Sequence, residues 1–284
     1  MEHGRFSYSP IVERPALRWP NGARIALWIV PNIEYLQFDD LLRSARPGTI
    51  APDVNTYAKF DYGNRVAIWR IMELLDRFSI RATVALTSDV CDVHPEIIRE
   101  GCRRKWEWMG HGRSIGHGVN GLDEAAERSL ITATVTKIEA ATGTRPRGWL
   151  GPALAENTRT PDLLKEAGLD YVCDWVNDDQ PYPMQTVHGT LYSVPYSTEL
   201  NDTVMFPNHS PDEFLRAIKD SFDTLYAEGA ETGRVMAIAL HPGKIGFPHR
   251  VASLRKALEY INEHDRIWWA TGGEILDAYR EAAE

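Results

Sequence analysis

The run RIALWIV, residues 24–30, follows the turn pair Asn21-Gly22 and is apolar from its second residue to its last. A short continuous run of this kind, rich in β-branched residues, is a strand buried on both faces, and such strands belong to parallel sheets covered by helices. The same composition returns in VMAIAL, residues 235–240, and in shorter form at 81–86, 106–109, 148–150, 171–173, 191–195 and 267–270. Between these runs the apolar period lengthens: Ile68, Ile71, Met72 and Leu75 fall at i, i+3, i+4 and i+7, the face of a helix. Further helices are expected at 95–105, 122–141, 160–167, 215–225, 251–261 and 274–280. Strand and helix alternating about seven times predict a parallel α/β protein, barrel-like or doubly wound. Residues 31–61 read as one long irregular loop, and a loop of that length in a domain is most often a lid or a binding loop.

The chain has 284 residues, with 31 Lys+Arg against 40 Asp+Glu and a net charge of −9. That balance argues against nucleic-acid and anionic-membrane partners, because the most basic run, residues 99–105, is interrupted by Glu100. Cys91, Cys102 and Cys173 show no paired metal or disulfide spacing and read as buried or idle thiols. With no apolar leader in residues 1–20 and no run of 18 apolar residues, the expectation is a cytoplasmic protein. It would form a single catalytic domain over 1–284, with 1–22 as an extended N-terminal arm.

In parallel α/β folds, chemistry sits at the carboxyl ends of the strands, so the polar residues after each apolar run carry the argument. Glu34 lies just beyond the first strand, where partial desolvation suits a carboxylate to general-base work; the alternative is a surface glutamate opening a loop. His111 sits in GHGRSIGHG, whose glycines let backbone amides approach an oxyanion. His117 in the same segment is a second ligand for a metal or a solvated loop histidine. His241 directly follows VMAIAL and is suited to protonate a leaving nitrogen, or else caps a turn. The segment DWVNDDQPY, from Asp174, offers a carboxylate to orient a partner and aromatics to wall a pocket, while Asp178 and Asp179 also fit Asx turns.

These strand-end residues, in order, resemble the polysaccharide deacetylase (NodB-homology) superfamily, and within it the branch of metal-independent allantoinases and cyclic imide hydrolases. The resemblance spans residues 19–279 and rests on WPNGARIAL, NIEY, YGNR, HGRS, GWLGP with ENTR, DWVNDDQPY and LHPGKIGFPHR. It implies a distorted (β/α) barrel of about seven parallel strands. Metal-dependent members carry T-F-D-D, whose first Asp is the base and second a ligand, and H-S/T-x-x-H, whose histidines complete the metal triad. Here those positions read Glu34, Tyr35, His111 and Ile115, so two of three ligands are missing, and neither a phenol nor an alkyl chain replaces them.

The resemblance therefore implies a hydrolase of small cyclic amides, allantoin-like ureides or imides, working without metal. Glu34 would be the base, His111 the oxyanion holder and His241 the acid. Tyr35, Arg113, Trp149, Gly151, Asp174 and Trp175 would bind substrate, with Arg147 as an alternative to Trp149. Two other readings remain. One is a deacetylase of N-acetylated sugars using a divalent metal such as zinc on Glu34, His111 and His117; the other is a silent binding protein. A homo-oligomer is implied, with Trp268 and Trp269 as candidates for its interface or for the core.

Overall fold

The computed structural model describes residues 4–42, 45 and 47–283. Nine strands among them form one sheet: β1 (Ile25–Ile33), β2 (Thr83–Leu86), β3 (Glu107–Gly110), β4 (Gly148–Trp149), β5 (Tyr171–Val172), β6 (Tyr182–Thr186), β7 (Gly189–Ser193), β8 (Arg234–Leu240) and β9 (Ile267–Trp269). The order across it is β6-β7-β5-β4-β3-β2-β1-β8. β1 pairs along its length with β8, and its other edge is shared by β9 at Ile25–Leu27 and β2 at Asn32 and Ile33. All pairings are parallel except β6 with β7. The sheet is thus the expected curled, distorted barrel with eight parallel strands, and β6 is an antiparallel addition from a segment read as loop.

Side-chain alternation sorts this sheet into two layers. Ile25, Leu27, Ile29 and Ile33 of β1 join Val84, Leu86, Trp108, Met236, Ile238 and Leu240 on the side covered by helices. Ala26, Trp28 and Val30 join Ala85, Met109, Leu150, Cys173, Ala237 and Ala239 inside the curl. Small residues on β8 face Trp28, which fills the interior and donates its indole N–H to the Pro195 carbonyl at 3.1 Å. All nine β1 residues are buried, as a strand covered on both faces requires.

The helices are α1 (Val54–Tyr62), α2 (Ile68–Arg77), α3 (Val90–Val93), α4 (Pro95–Arg103), α5 (Glu124–Thr142), α6 (Thr160–Glu166), α7 (Asp202–Met205), α8 (Pro211–Glu228), α9 (Pro242–Ile245), α10 (Pro248–Asn262) and α11 (Gly272–Ala283). The expected loop at 31–61 is shorter than its sequence suggested. β1 runs through Ile33, and α1 begins at Val54, capped by the Asp53 carboxylate accepting the Thr56 N–H at 3.1 Å. No residue of α1 is buried, so it carries no apolar period to read. Arg43, Ser44 and Arg46 of that loop lie outside the described residues. A wide helical turn at Gly63–Ala67 joins α1 to α2. Trp268 and Trp269 are half-buried against the two core layers. Cys91 and Cys173 are buried thiols and Cys102 is half-buried. No helix of the described residues is long and apolar enough to cross a membrane.

Candidate active site

Glu34, His111 and His241 each stand one residue past a strand, β1, β3 and β8. Their positions continue the inward alternation: Trp28, Val30, Asn32 and Glu34 on one strand, Met109 and His111 on the next, Ala237, Ala239 and His241 on the third. The period of two brings the three side chains to the open end of the curl. Below them, the Asn32 amide donates to the Tyr196 hydroxyl at 3.0 Å and to the Leu240 carbonyl at 3.3 Å, forming a polar floor above the apolar interior.

His111 is buried and fixed at both nitrogens. Nδ1–H donates to the Leu150 carbonyl at 2.5 Å, which directs Nε2 at Glu34 Oε1, 3.2 Å away. Glu34 is only 7% exposed, and Asn64 holds its backbone carbonyl at 2.9 Å. Burial alone pushes the Glu34 carboxyl up. The His111 hydrogen bond and the charges of His241, His111 and Lys244 outweigh it and hold the group below the ordinary glutamate value, so it is an anion at neutral pH. His241 donates Nδ1–H to Asp202 Oδ1 at 2.7 Å, and its Nε2 has no partner among the described residues. Burial lowers the His241 pKa, but the charge and hydrogen bond of Asp202 and the charge of Glu34 raise it above the ordinary histidine value.

Asp202 escaped the sequence reading. It is fully buried, and it also accepts the backbone N–H groups of His241 at 2.8 Å and Ile245 at 3.1 Å. The only local signal is that of a helix start, with Asn201 accepting the Thr203 N–H at 3.0 Å to cap α7.

The expected substrate-binding residues divide. Asp174 follows β5 and accepts the Gly151 N–H at 2.7 Å, but it orients no histidine. Its carboxyl neighbours Glu156, which receives the Trp175 indole N–H at 3.2 Å. Burial pushes Asp174 well up, aided by the charge of Glu156, and burial pushes Glu156 up to about 7. The pair therefore retains a proton near neutrality. Glu156, at the start of ENTR, was not singled out. Trp175 packs edge-on against Phe6 of the N-terminal segment, centroids 5.4 Å apart.

Four residues are corrected by their direction in the fold. Trp149 is fully buried on the helix side with Ile131 and Val135, because alternation on β4 sends its neighbour Leu150 inward instead. Tyr35, one residue past Glu34, likewise faces the helix side, where it lines a cavity of about 190 Å³ with Tyr57, Phe60, Asp61, Asn64 and His94. Arg113 is more than half exposed and its Nε donates to Asp89 at 3.1 Å. Arg147 precedes β4, at the opposite end of the strand, and pairs with Asp170 and Asp277.

The glycine-rich segment is also less open than its composition suggests. The amides of His111, Ile115 and His117 donate to the carbonyls of Leu86, Tyr35 and Ser114. Gly112, at φ 70°, provides the left-handed step directly after His111. His117 is nearly half exposed and contacts Ser114 and Asp40, not Glu34.

The donor set does not fit a three-ligand metal site at this position. Glu34 and His111 face each other, Tyr35 points elsewhere, and Ile115 has no lone pair. Among the described residues no three His, Cys, Asp or Glu side chains converge.

Comparison with known proteins places the chain. The sequence profile of the polysaccharide deacetylase family matches residues 51–172. The crystal structure of Puue allantoinase superposes with a TM-score of 0.85 at 30% identity, covering 95% of this chain and 94% of that one. A probable polysaccharide deacetylase from Pseudomonas aeruginosa PAO1 gives a TM-score of 0.84 at 29% identity, covering 94% and 95%. A peptidoglycan deacetylase of Helicobacter pylori is 23% identical over 77% of this chain and 85% of its own. With the curled parallel sheet and strand-end polar residues described above, these matches assign the chain to the polysaccharide deacetylase family, a family of hydrolases acting on carbon–nitrogen bonds.

Proposed function

We propose that this site opens a small cyclic amide, an allantoin-like ureide or a cyclic imide, by attack of a base-activated water without a metal ion. The observation that carries the reading is the Glu34–His111 contact of 3.2 Å, which ties the imidazole at the one retained ligand position of the family pattern to the carboxylate at its base position. Likeness to an allantoinase over nearly the whole chain supports the same substrate class.

In the proposed reaction, Glu34 takes a proton from water as its oxygen bonds to the ring carbonyl carbon. Protonation leaves Glu34 neutral and weakens its hold on His111, since charge-assisted hydrogen bonds are roughly twice as strong as neutral ones, and frees the Nε2 proton for the oxyanion. His241, kept protonated by Asp202, gives its Nε2 proton to the departing nitrogen as the C–N bond breaks. Without a Lewis acid to lower the pKa of water from about 15.7, a strained or conjugated cyclic carbonyl is a better substrate than an unactivated acetamide. Asp174 with Glu156, Gly151 and Trp175 would wall the far side of the substrate.

The test is turnover of allantoin, hydantoins, dihydropyrimidines, succinimide and maleimide by chelator-treated protein. Hydrolysis of at least one at an undiminished rate is expected. No turnover until zinc is added back overturns the reading and favours the deacetylase alternative, which the name of the Pseudomonas relative supports.

A further inference from the structure

The turn after His241 gathers cations that lack a carboxylate partner. Lys244 donates its backbone N–H to the His241 carbonyl at 2.7 Å, while its half-buried ammonium makes no hydrogen bond or ion pair among the described residues. Burial pushes its pKa down, helped by the charges of Lys59 and Arg250 and opposed by those of Asp202 and Glu34. Arg250 is also half-buried. Its Nη1 donates to the Lys244 carbonyl at 3.2 Å, its guanidinium lies 4.4 Å over the Phe206 ring, and its Nε is buried without a partner.

Four other sheltered cations of this chain are neutralised directly, whereas Arg24 and Lys219 lie over the Tyr226 and Tyr260 rings. Arg5, Arg14, Arg104 and Arg234 are 15%, 19%, 12% and 9% exposed, and each meets a carboxylate. The sequence supplies 40 acidic against 31 basic residues, so acid partners are not scarce. Desolvating an ammonium without a counter-ion is costly, and the cost is recovered when an anion arrives. The position is enforced by the backbone: a Cβ on Gly243 would lie 2.3 Å from the Lys59 carbonyl oxygen, so α9 sits directly against the end of α1.

We propose that Lys244, backed by Arg250, determines specificity by pairing with a carboxylate on the substrate, so that the cyclic amide taken by this site is an acidic one. The inference rests on the cyclic-amide reading above. A carboxylate fits better than a phosphate dianion, because Arg250 is committed to a carbonyl and an aromatic ring and leaves one uncommitted charge. Lys244 would also offset the repulsion between such a substrate and the Glu34 anion.

Calorimetric titration of hydantoin-5-acetate and of unsubstituted hydantoin into the wild type, Lys244→Met and Lys244→Arg tests this, with turnover of both compounds followed in parallel. The wild type should bind the acid about tenfold more tightly than hydantoin, the difference one charge-assisted contact makes. Lys244→Met should abolish the preference and Lys244→Arg should keep it. Equal affinities in the wild type, a preference unaltered in Lys244→Met, or no affinity for either compound overturns the proposal. Turnover of both compounds without preference removes this inference and leaves the cyclic-amide reading standing. Lys244-dependent binding of the acid without turnover does the reverse.

Discussion

Glu34 is buried and the Glu156–Asp174 pair half-buried at the carboxyl ends of the same sheet, and these carboxyl groups are held in opposite states. Burial is the largest influence on each and acts in the same direction. What differs is the partner. Glu34 meets an imidazole and feels His241 and Lys244, so the anion wins, whereas Asp174 has the charge of Glu156 beside it and the pair keeps a proton. Depth in the fold does not set the chemistry of a carboxyl group here; the charge placed beside it does.

The comparison breaks most visibly at Glu34. Glu34→Gln preserves shape but removes the base, and kcat on a cyclic amide should fall by about 10²–10⁴-fold. A variant within a few-fold of wild type would put the base elsewhere. Next in size is Asp202→Asn, which leaves His241 without its counter-charge. We expect about a 10²-fold loss in kcat, with the alkaline limb of the rate profile moving to lower pH. An unmoved limb would mean that Asp202 serves only to tie α9 to β8.

The wild-type profile of kcat/KM sharpens the contrast further. Glu34 must be ionised and its pKa is lowered, so the acid limb should lie below the ordinary glutamate value of 4.5. His241 must be protonated and its pKa is raised, so the alkaline limb should lie above 6.5. A profile with one limb near 7 would point instead to Glu156 as a participating group. The smallest effect is expected at the shared-proton pair. Glu156→Gln supplies an amide in place of the shared proton and should change stability by less than about 1 kcal/mol in thermal unfolding at pH 7, whereas Glu156→Ala, which strands Asp174, should cost about 1–3 kcal/mol.

Much of this site is legible before any coordinates. The apolar runs 24–30 and 235–240 announce β1 and β8, and Glu34, His111 and His241 stand out as polar residues where those runs and the short one at 106–109 stop. Reading by position fails where direction matters. Trp149 and Tyr35 adjoin site residues in the chain, yet alternation turns both to the helix side. It fails too where a segment lacks an apolar pattern, as in α1, no residue of which is buried, and in β6, whose side chains are mostly exposed or half-buried. Asp202 is hidden for another reason: its sequence neighbourhood describes a helix cap, and its place in the candidate site comes from His241, 39 positions away.

Pattern and period, properties of consecutive residues, were enough for the parallel strand series and the three residues at its open end. Partners were not, because a hydrogen bond or a charge acts over a few ångströms while the groups concerned lie far apart in the chain. That Glu34 faces His111 across 77 residues and Asp202 holds His241 across 39 is decided only when the sheet curls. The same holds for Glu156, which lies beside Asp174 and feels the charge of Arg5 only weakly enough that burial still raises it. Those three pairings set which carboxyl is an anion and which way each histidine is turned.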